Sequence, residues 1–297
     1  MSRDRQSRAG GGFAHVEAWV FDLDNTLYPA DCNLFAQIDR RMGEFIAQSF
    51  GIPLEEAQIL RETYYYQHGT TLAGLMRLHN VSPHAFLDYV HDIDLGAIAP
   101  SPELAAAIDA LPGRKFVFTN GSRKHAEAVA ARLGVLGRFD DIFDIHALDY
   151  VPKPERAAYE RFMGAHGIAA AGAAMFDDLP HNLETAHMLG MTTVLVHGLT
   201  AHPEHQAIAG WTEVPAHIHH RTDALAPFLA AIGAALAEDQ IERCRLLSPP
   251  PLWGRDREGG SLDTACLPPS ALPSAEPAPP QGGSGEQGEA LCPVFQD

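Results

Sequence analysis

The sequence predicts an α/β protein, a three-layer doubly wound parallel sheet with an α-helical cap inserted after its first strand. Three observations predict it. Residues 16–21 form a short apolar run, rich in β-branched and aromatic side chains, that stops at Asp22, Asp24, Asn25 and Pro29, as a buried strand does. Residues 30–97 carry only helical periodicities. From Ser101 onward strand and helix patterns alternate, which implies parallel β-α-β units.

Taken in order, Leu34, Phe35, Ile38, Met42, Phe45, Ile46 and Phe50 recur at helical spacing ahead of Gly51, a C-cap residue. Helical patterns continue over 53–67 and 72–78. Ser82-Pro83 opens another through residue 90, with Ser as N-cap and Pro at the first helical position. A β-α-β crossover needs only about a dozen residues, so this long insert is read as a cap over the carboxylates. The core then resumes with a helix over 102–111, a strand over 115–118 and a helix over 123–133 closed by Gly134. A short strand is expected at 142–145, a helix ending near 166, a strand over 173–176, a helix over 182–189 and a strand over 192–196. The last helix runs from Thr222-Asp223 to about residue 238. The division is therefore a core of 15–29 with 97–240, a cap of 30–96, a flexible N-terminus over 1–14 and a disordered tail over 241–297. That tail is crowded with Pro and Gly, and its G-x-G-x-x-G string at 283–288 lacks the flanking strand and helix of a dinucleotide loop.

A formal charge of -17 argues against a nucleic-acid polymer as partner, since phosphate backbones are held by clustered Lys and Arg. The four cysteines, Cys32, Cys244, Cys266 and Cys292, form no CxxC pair, which speaks against a zinc ribbon or disulfide scaffold and fits a reducing compartment. The histidines at 202, 205, 217, 219 and 220 are too loosely spaced for a zinc site. No apolar run reaches membrane-spanning length, and the expectation is a cytoplasmic protein with no membrane partner.

The chemistry gathers at strand ends, where open α/β sheets bind ligands. Asp22 and Asp24, two residues apart in an extended chain, are expected to project from one face and to need a cation between them. Thr119 offers a hydroxyl, and the N–H groups of Asn120 and Gly121 form an anion cradle at a strand-to-helix turn. Lys153, between Pro152 and Pro154, supplies a fixed positive charge. Asp177 and Asp178 add the hard oxygen ligands that Mg²⁺ prefers. Asp22 is then placed to attack phosphorus, and Asp24 to exchange protons with the leaving oxygen and with water. In the cap, His68, Thr70 and Thr71 stand at a Gly-containing break where they either contact the substrate or cap the next helix. Tyr64, Tyr65 and Tyr66 divide between core packing and base stacking. Arg123 and Lys124 either steer an anionic substrate or form a solvated first helical turn.

With Asp22-x-Asp24-x-Thr26, Thr119, Lys153 and Asp177-Asp178 in this order, the chain from about 18 to 231 resembles the haloacid dehalogenase-like hydrolase superfamily. In that superfamily the second aspartate of the first motif marks phosphatases, so the resemblance implies a phosphatase with a C1-type cap. More narrowly, Asp24-Asn25-Thr26-Leu27-Tyr28-Pro29, the helix starting near Cys32, Tyr66 to Leu72, Thr119-Asn120-Gly121 and Phe176-Asp177-Asp178 resemble the bacterial and fungal pyrimidine 5'-nucleotidases. By resemblance Asp22 forms an aspartyl phosphate and Asp24 is the acid/base. Mg²⁺ is held by Asp22, the Asp24 carbonyl and Asp178, with Asp177 and Asn182 as outer ligands. The substrate implied is a pyrimidine nucleoside 5'-monophosphate. Rival readings are a sugar-phosphate phosphatase or phosphomutase on the same scaffold and, more remotely, a non-catalytic scaffold.

Overall fold

The structure, a computed structural model, describes residues 12–32, 34–198, 208 and 211–247. The N-terminus before residue 12, His202, His205, and the tail after residue 247 with Cys266 and Cys292 lie outside the described residues. Two compact units divide the chain, Met1–Glu242 and Arg243–Asp297, and the second is described only at its first five residues, the C-terminal end of a helix.

Among the described residues, six strands form one all-parallel sheet: β1 (Ala18–Phe21), β2 (Arg114–Phe118), β3 (Asp141–Phe143), β4 (Ala173–Asp177), β5 (Thr192–Val196) and β6 (His220–Thr222). Their spatial order is β3-β2-β1-β4-β5-β6. β1 lies centrally, with Phe21 in register with Val117 on one side and Phe176 on the other. The strand order reverses there, and the reversal leaves a crevice beyond the strand ends.

Every residue of β1 is buried, and the side chains alternate between faces. Trp19 and Phe21, with Val117, Phe176 and Val194, pack against Leu104, Ile108, Ala126, Val129, Leu229 and Ile232. These belong to α5 (Pro102–Asp109), α6 (Arg123–Leu133) and α9 (Leu225–Leu247). Ala18 and Val20, with Phe116, Phe118, Met175 and Leu195, pack against Ala158, Tyr159, Phe162, Leu183 and Ala186. These belong to α7 (Arg156–His166) and α8 (Pro180–Leu189). Two covered faces explain why the strands read as unbroken apolar runs. Gly113, at φ +79°, lets β2 start beside β1, since a Cβ there would lie 2.4 Å from the Glu17 carbonyl oxygen.

Between β1 and β2 stand α1 (Leu34–Phe50), α2 (Leu54–His68), α3 (Thr71–His79) and α4 (Pro83–Val90), the inserted helical cap. Ile46, Ala57, Tyr64, Leu72, Leu75, Phe86 and Leu87 form its interior. Thr70 and Ser82 are N-caps, accepting from the N–H groups of Ala73 and Ala85. Gly74 lets α3 close on α2, because a Cβ would lie 2.5 Å from that of Tyr64.

Three expectations are corrected. Residues 12–14, expected within a flexible N-terminus, are folded, with Phe13 buried in the core and stacked on Trp19 at 5.8 Å between ring centroids. β6 is an additional strand, only three residues long and without apolar alternation, so its pattern carries no strand signal. α9 continues to Leu247 rather than ending near 238, overlapping the start of the expected tail, because residues 239–247 are mostly good helix formers with no Gly or Pro.

Phe176 is fully buried and stacks on Phe21 at 4.8 Å between ring centroids. Phe176→Ala is expected to lower unfolding stability by about 3–5 kcal/mol, as read from the denaturation midpoint at constant slope.

Candidate active site

The chain leaves β1 directly into the site. Asp22 still belongs to the sheet through its N–H, which donates to the Phe176 carbonyl at 2.8 Å. Beyond it the backbone turns: Thr26 and Leu27 donate back to the Leu23 carbonyl, and Asn25 takes a left-handed φ of 60°. Extended alternation therefore ends before Asp24, and its carboxylate is not among the ligand oxygens grouped around Asp22. Asp22 gathers instead with Asp177 and Asp178 from the end of β4. The three offer oxygens within 4.8 Å of one another, the one group of metal-ligating side chains found among the described residues.

Lys153 is buried among them, its Nζ donating to Asp22 Oδ1 and Asp177 Oδ2, both at 2.7 Å. Asn120, from the loop after β2, holds this lysine by its main chain, accepting from the Lys153 N–H and donating to the Lys153 carbonyl. The Asn120 side chain is thus a clamp on Lys153. Gly121, expected to point its N–H at an anion, donates it to Thr119 Oγ1 at 2.9 Å. Asp177 Oδ1 accepts from the Leu179 N–H and from Asn182 Nδ2. Asp178 lines the cavity above and accepts a hydrogen bond from Asn25.

Burial, reinforced by Asp177 and Asp178, pushes Asp22 well above the usual carboxylate range although Lys153 pulls it down. Burial and then Asp177 do the same to Asp178, again against Lys153. Burial acts against the Lys153 charge, yet Asp177 and Asp22 raise its pKa overall. One ammonium cannot balance three buried carboxylates, and the donor set is all hard oxygen. The buried Asn182 Oδ1, which lines the same cavity, has no hydrogen-bond partner. These residues fit a divalent cation.

Asp24 has its own environment. Its Oδ1 accepts from the Tyr28 hydroxyl at 2.7 Å and faces His125 Nε2 at 2.8 Å. Burial alone would push Asp24 up, but the charge and hydrogen bond of His125, with the Tyr28 hydroxyl, outweigh it and hold the carboxyl below its usual value. His91, following α4, lies flat on His125 with centroids 4.3 Å apart. Burial, then His125, lowers its pKa to about 3, so this ring is neutral. Sequence reasoning stopped at Arg123 and Lys124 and passed over His125. The signal was its place three residues after the N-cap Ser122, in the first turn of a helix that opens at the site. Arg123 and Lys124 themselves form ion pairs with Asp141, Glu127 and Asp88.

Above the carboxylates is a cavity of about 290 Å³. Its floor includes Asp22, Asp24, Thr119, Lys153 and Asp178; its cap wall includes Phe35, Ile38, Met42, Arg61, Tyr65, Tyr66, Thr70, Thr71, Phe86 and His91. The Thr70 hydroxyl caps α3 and the Thr71 hydroxyl donates to the Arg61 carbonyl. His68 is not part of this wall; its ring packs on Tyr64. Tyr64 is core, its hydroxyl hydrogen-bonded with His79 Nε2. Of the histidines weighed for zinc, His219 Nδ1 accepts the Thr193 N–H and the His217 carbonyl accepts the Thr193 hydroxyl. No helix among the described residues is long and apolar enough to cross a membrane.

Four strand-end loops converging on buried carboxylates beneath a helical cap define a hydrolase of the haloacid dehalogenase-like family. Its family model, haloacid dehalogenase-like hydrolase, matches residues 16–190, and the chain belongs to it. Phosphate metabolism protein 8 of Saccharomyces cerevisiae is 25% identical over 197 residues, 60% of this chain and 61% of that one. The chain thus spans about three fifths of that relative's length. Among solved structures, a HAD phosphatase from Thermococcus onnurineus is 16% identical, covering 73% of this chain and 98% of its own at a TM-score of 0.49. The L-2-haloacid dehalogenase of Xanthobacter autotrophicus is 19% identical, covering 74% and 97% at 0.45.

The raised pKa of Asp178 sets a sign. A carboxyl that binds its proton more tightly when folded lowers stability as pH rises above its unfolded value, near 3.8. Asp178→Asn is therefore expected to raise the melting temperature of metal-free protein at pH 7–8, by at least ~2 °C. The gain should shrink as pH falls towards 4. A lower melting temperature at pH 7.5 in chelator would contradict this electrostatic account.

Proposed function

We propose that this protein is a Mg²⁺-dependent phosphomonoester hydrolase that works through an aspartyl phosphate on Asp22 and acts on pyrimidine nucleoside 5'-monophosphates. The observation that carries the reading is the separate environment of two neighbouring carboxylates: Asp22 with Lys153 and the β4 aspartates, Asp24 with Tyr28 and His125. Residues 15–29 with 97–240 serve as the chemical core and 30–96 as the cap that reads the leaving group.

In this reading Asp178, Asp22 and the Asp24 carbonyl hold the metal, with Asp177 and Asn182 behind them. Asp177 suits the outer role because Lys153, Leu179 and Asn182 already engage both its oxygens. Mg²⁺ bound there neutralises carboxylate and phosphoryl oxygens. The Thr119 hydroxyl, the Asn120 N–H and Lys153 receive the phosphoryl group. The anionic ester seated beside Asp24 opposes the ionisation that its donors favour and brings it to the acid form; an Asp22 oxygen then bonds to phosphorus while the ester P–O bond breaks, and the leaving oxygen takes that proton. Water then attacks phosphorus and gives a proton to Asp24. The Asp22–phosphorus bond breaks, and inorganic phosphate and the starting carboxylate are regenerated. Proton delivery matters for an alkoxide and not for a halide, so a buried, hydrogen-bonded Asp24 supports an ester as substrate.

For the leaving group, Phe35, Ile38, Met42 and Phe86 offer apolar wall, and the Arg61–Asp39 pair, 2.9 Å apart, offers a donor beside an acceptor. A flat base with a polar edge fits this wall better than a polyol, which supports a nucleotide over a sugar phosphate. His68, Thr70 and Thr71 were the other candidates, and Thr70 and Thr71 remain in it as wall residues.

With Mg²⁺, phosphate release is expected from UMP, CMP and their deoxy forms above hexose phosphates, and chelation is expected to abolish it. Asp22→Asn should lower kcat by ~10³-fold or more. A preference for hexose phosphates would reject the nucleotide reading, and retained turnover in the variant would reject the aspartyl phosphate.

A further inference from the structure

We infer that His125 is a positioning residue for Asp24, fixing which of its carboxylate oxygens carries the catalytic proton, and that His91 of the cap holds His125 in that role. This rests on the phosphomonoesterase reading above. Both hydrogen bonds found on the Asp24 carboxylate fall on Oδ1, one from the Tyr28 hydroxyl at 2.7 Å and one with His125 Nε2 at 2.8 Å. An ionised carboxylate only accepts, so His125 Nε2 bears hydrogen. With Oδ1 accepting twice, the proton of the acid form belongs on Oδ2. That oxygen lies over the phosphate-loop side of the site: a Cβ on Gly121 would be 3.7 Å from Asp24 Oδ2 and 3.3 Å from Thr119 Oγ1. The proton-bearing oxygen thus faces the loop assigned to the phosphoryl group, and the turned-away oxygen is pinned.

His125 is itself pinned from two sides. Its backbone N–H donates to Ser122 Oγ, and the same hydroxyl is hydrogen-bonded with His91 Nδ1 at 2.9 Å. The His91 ring lies on the His125 ring at an interplanar angle of 8°. His91 comes from the cap, and seven residues earlier on the same face of α4, His84 stacks on His146 of the core at 4.6 Å. Two ring pairs therefore seat α4 on the core, and one of them ends on the acid. Seating the cap and aiming Asp24 are one event.

A general acid matters for a poor leaving group, an alkoxide, and little for a good one, p-nitrophenolate. The value of kcat/KM covers the chemistry up to loss of the leaving group, so the test compares it for p-nitrophenyl phosphate and for the best alkyl ester of the panel above. His125→Leu is expected to lose about 100-fold on the alkyl ester, within the span of general acid catalysis, and less than about 5-fold on p-nitrophenyl phosphate. His125→Gln, which keeps an N–H donor, should recover most of the alkyl activity. Tyr28→Phe, which removes the other donor and carries the test should the Leu variant not fold, should show the same split at smaller size. Equal losses on the two esters, or no rescue by Gln, would overturn the inference while leaving the phosphomonoesterase reading intact. Wild-type protein releasing phosphate from neither ester would overturn both.

Discussion

An ammonium group shared between two carboxylates, out of reach of water, is the constraint around which this molecule is assembled. Lys153 reaches Asp22 at the end of β1 and Asp177 at the end of β4, while its main chain is gripped by Asn120 from the end of β2. Three strand-end loops are tied at one point. Removing the lysine would leave buried charges without a partner, a change far more damaging than the loss of a surface ion pair. The tie is incomplete by design of the residues present, since three carboxylates against one ammonium leave a net deficit of two positive charges. The fold thus retains an electrostatic deficit that matches the charge of one divalent cation.

Asp24 escapes this cluster because the backbone turns at Asn25, and the escape is what makes two functions from two similar side chains. Burial, helped by Asp177 and Asp178 and opposed by Lys153, works against the ionisation of Asp22; at Asp24 burial is outweighed by the donors His125 and Tyr28. The cap takes part in the second environment through His91, whereas the first belongs wholly to the core. On the proposed function, specificity and proton management meet on the cap side of the cavity, and phosphoryl handling stays beneath.

Much of this was legible in the residues alone. Asp22, Thr119 and Asp178 could be read because each stands where a strand pattern stops, and strand patterns in a doubly covered sheet are unbroken apolar runs; Lys153 could be read from the prolines on either side of it. The helices α1, α4 and α6 could be read from Phe and Ile spacing, Ser-Pro starts and Gly ends. The surroundings of Asp24 were not legible because period-two alternation holds only while the chain is extended, and the backbone turns at Asn25. His125 was passed over for a different reason: its first-turn place in a helix opening at the site was a signal, but its partner Asp24 is distant in sequence and nothing local named the pair. β6 left no pattern because an edge strand buries little, and His68 looked available because Gly69 suggested a break there, whereas it is the last residue of α2 and packs on Tyr64 one turn earlier.

The sheet's two outermost strands, β3 and β6, are each three residues long. β3 begins at Asp141, held by Arg123 and His166, and β6 carries the exposed Arg221 in its middle. An unpaired strand edge is a template on which another chain can add, and length, flatness and apolar side chains make it adhesive. Here the fully buried strands β1 and β4 lie inside, and what stands at the edges is brief and carries charge. The same arrangement that places Asp22 and Asp177 at the centre of the sheet leaves its most apolar strands paired on both sides, so among the described residues little apolar strand edge remains for another chain to add to.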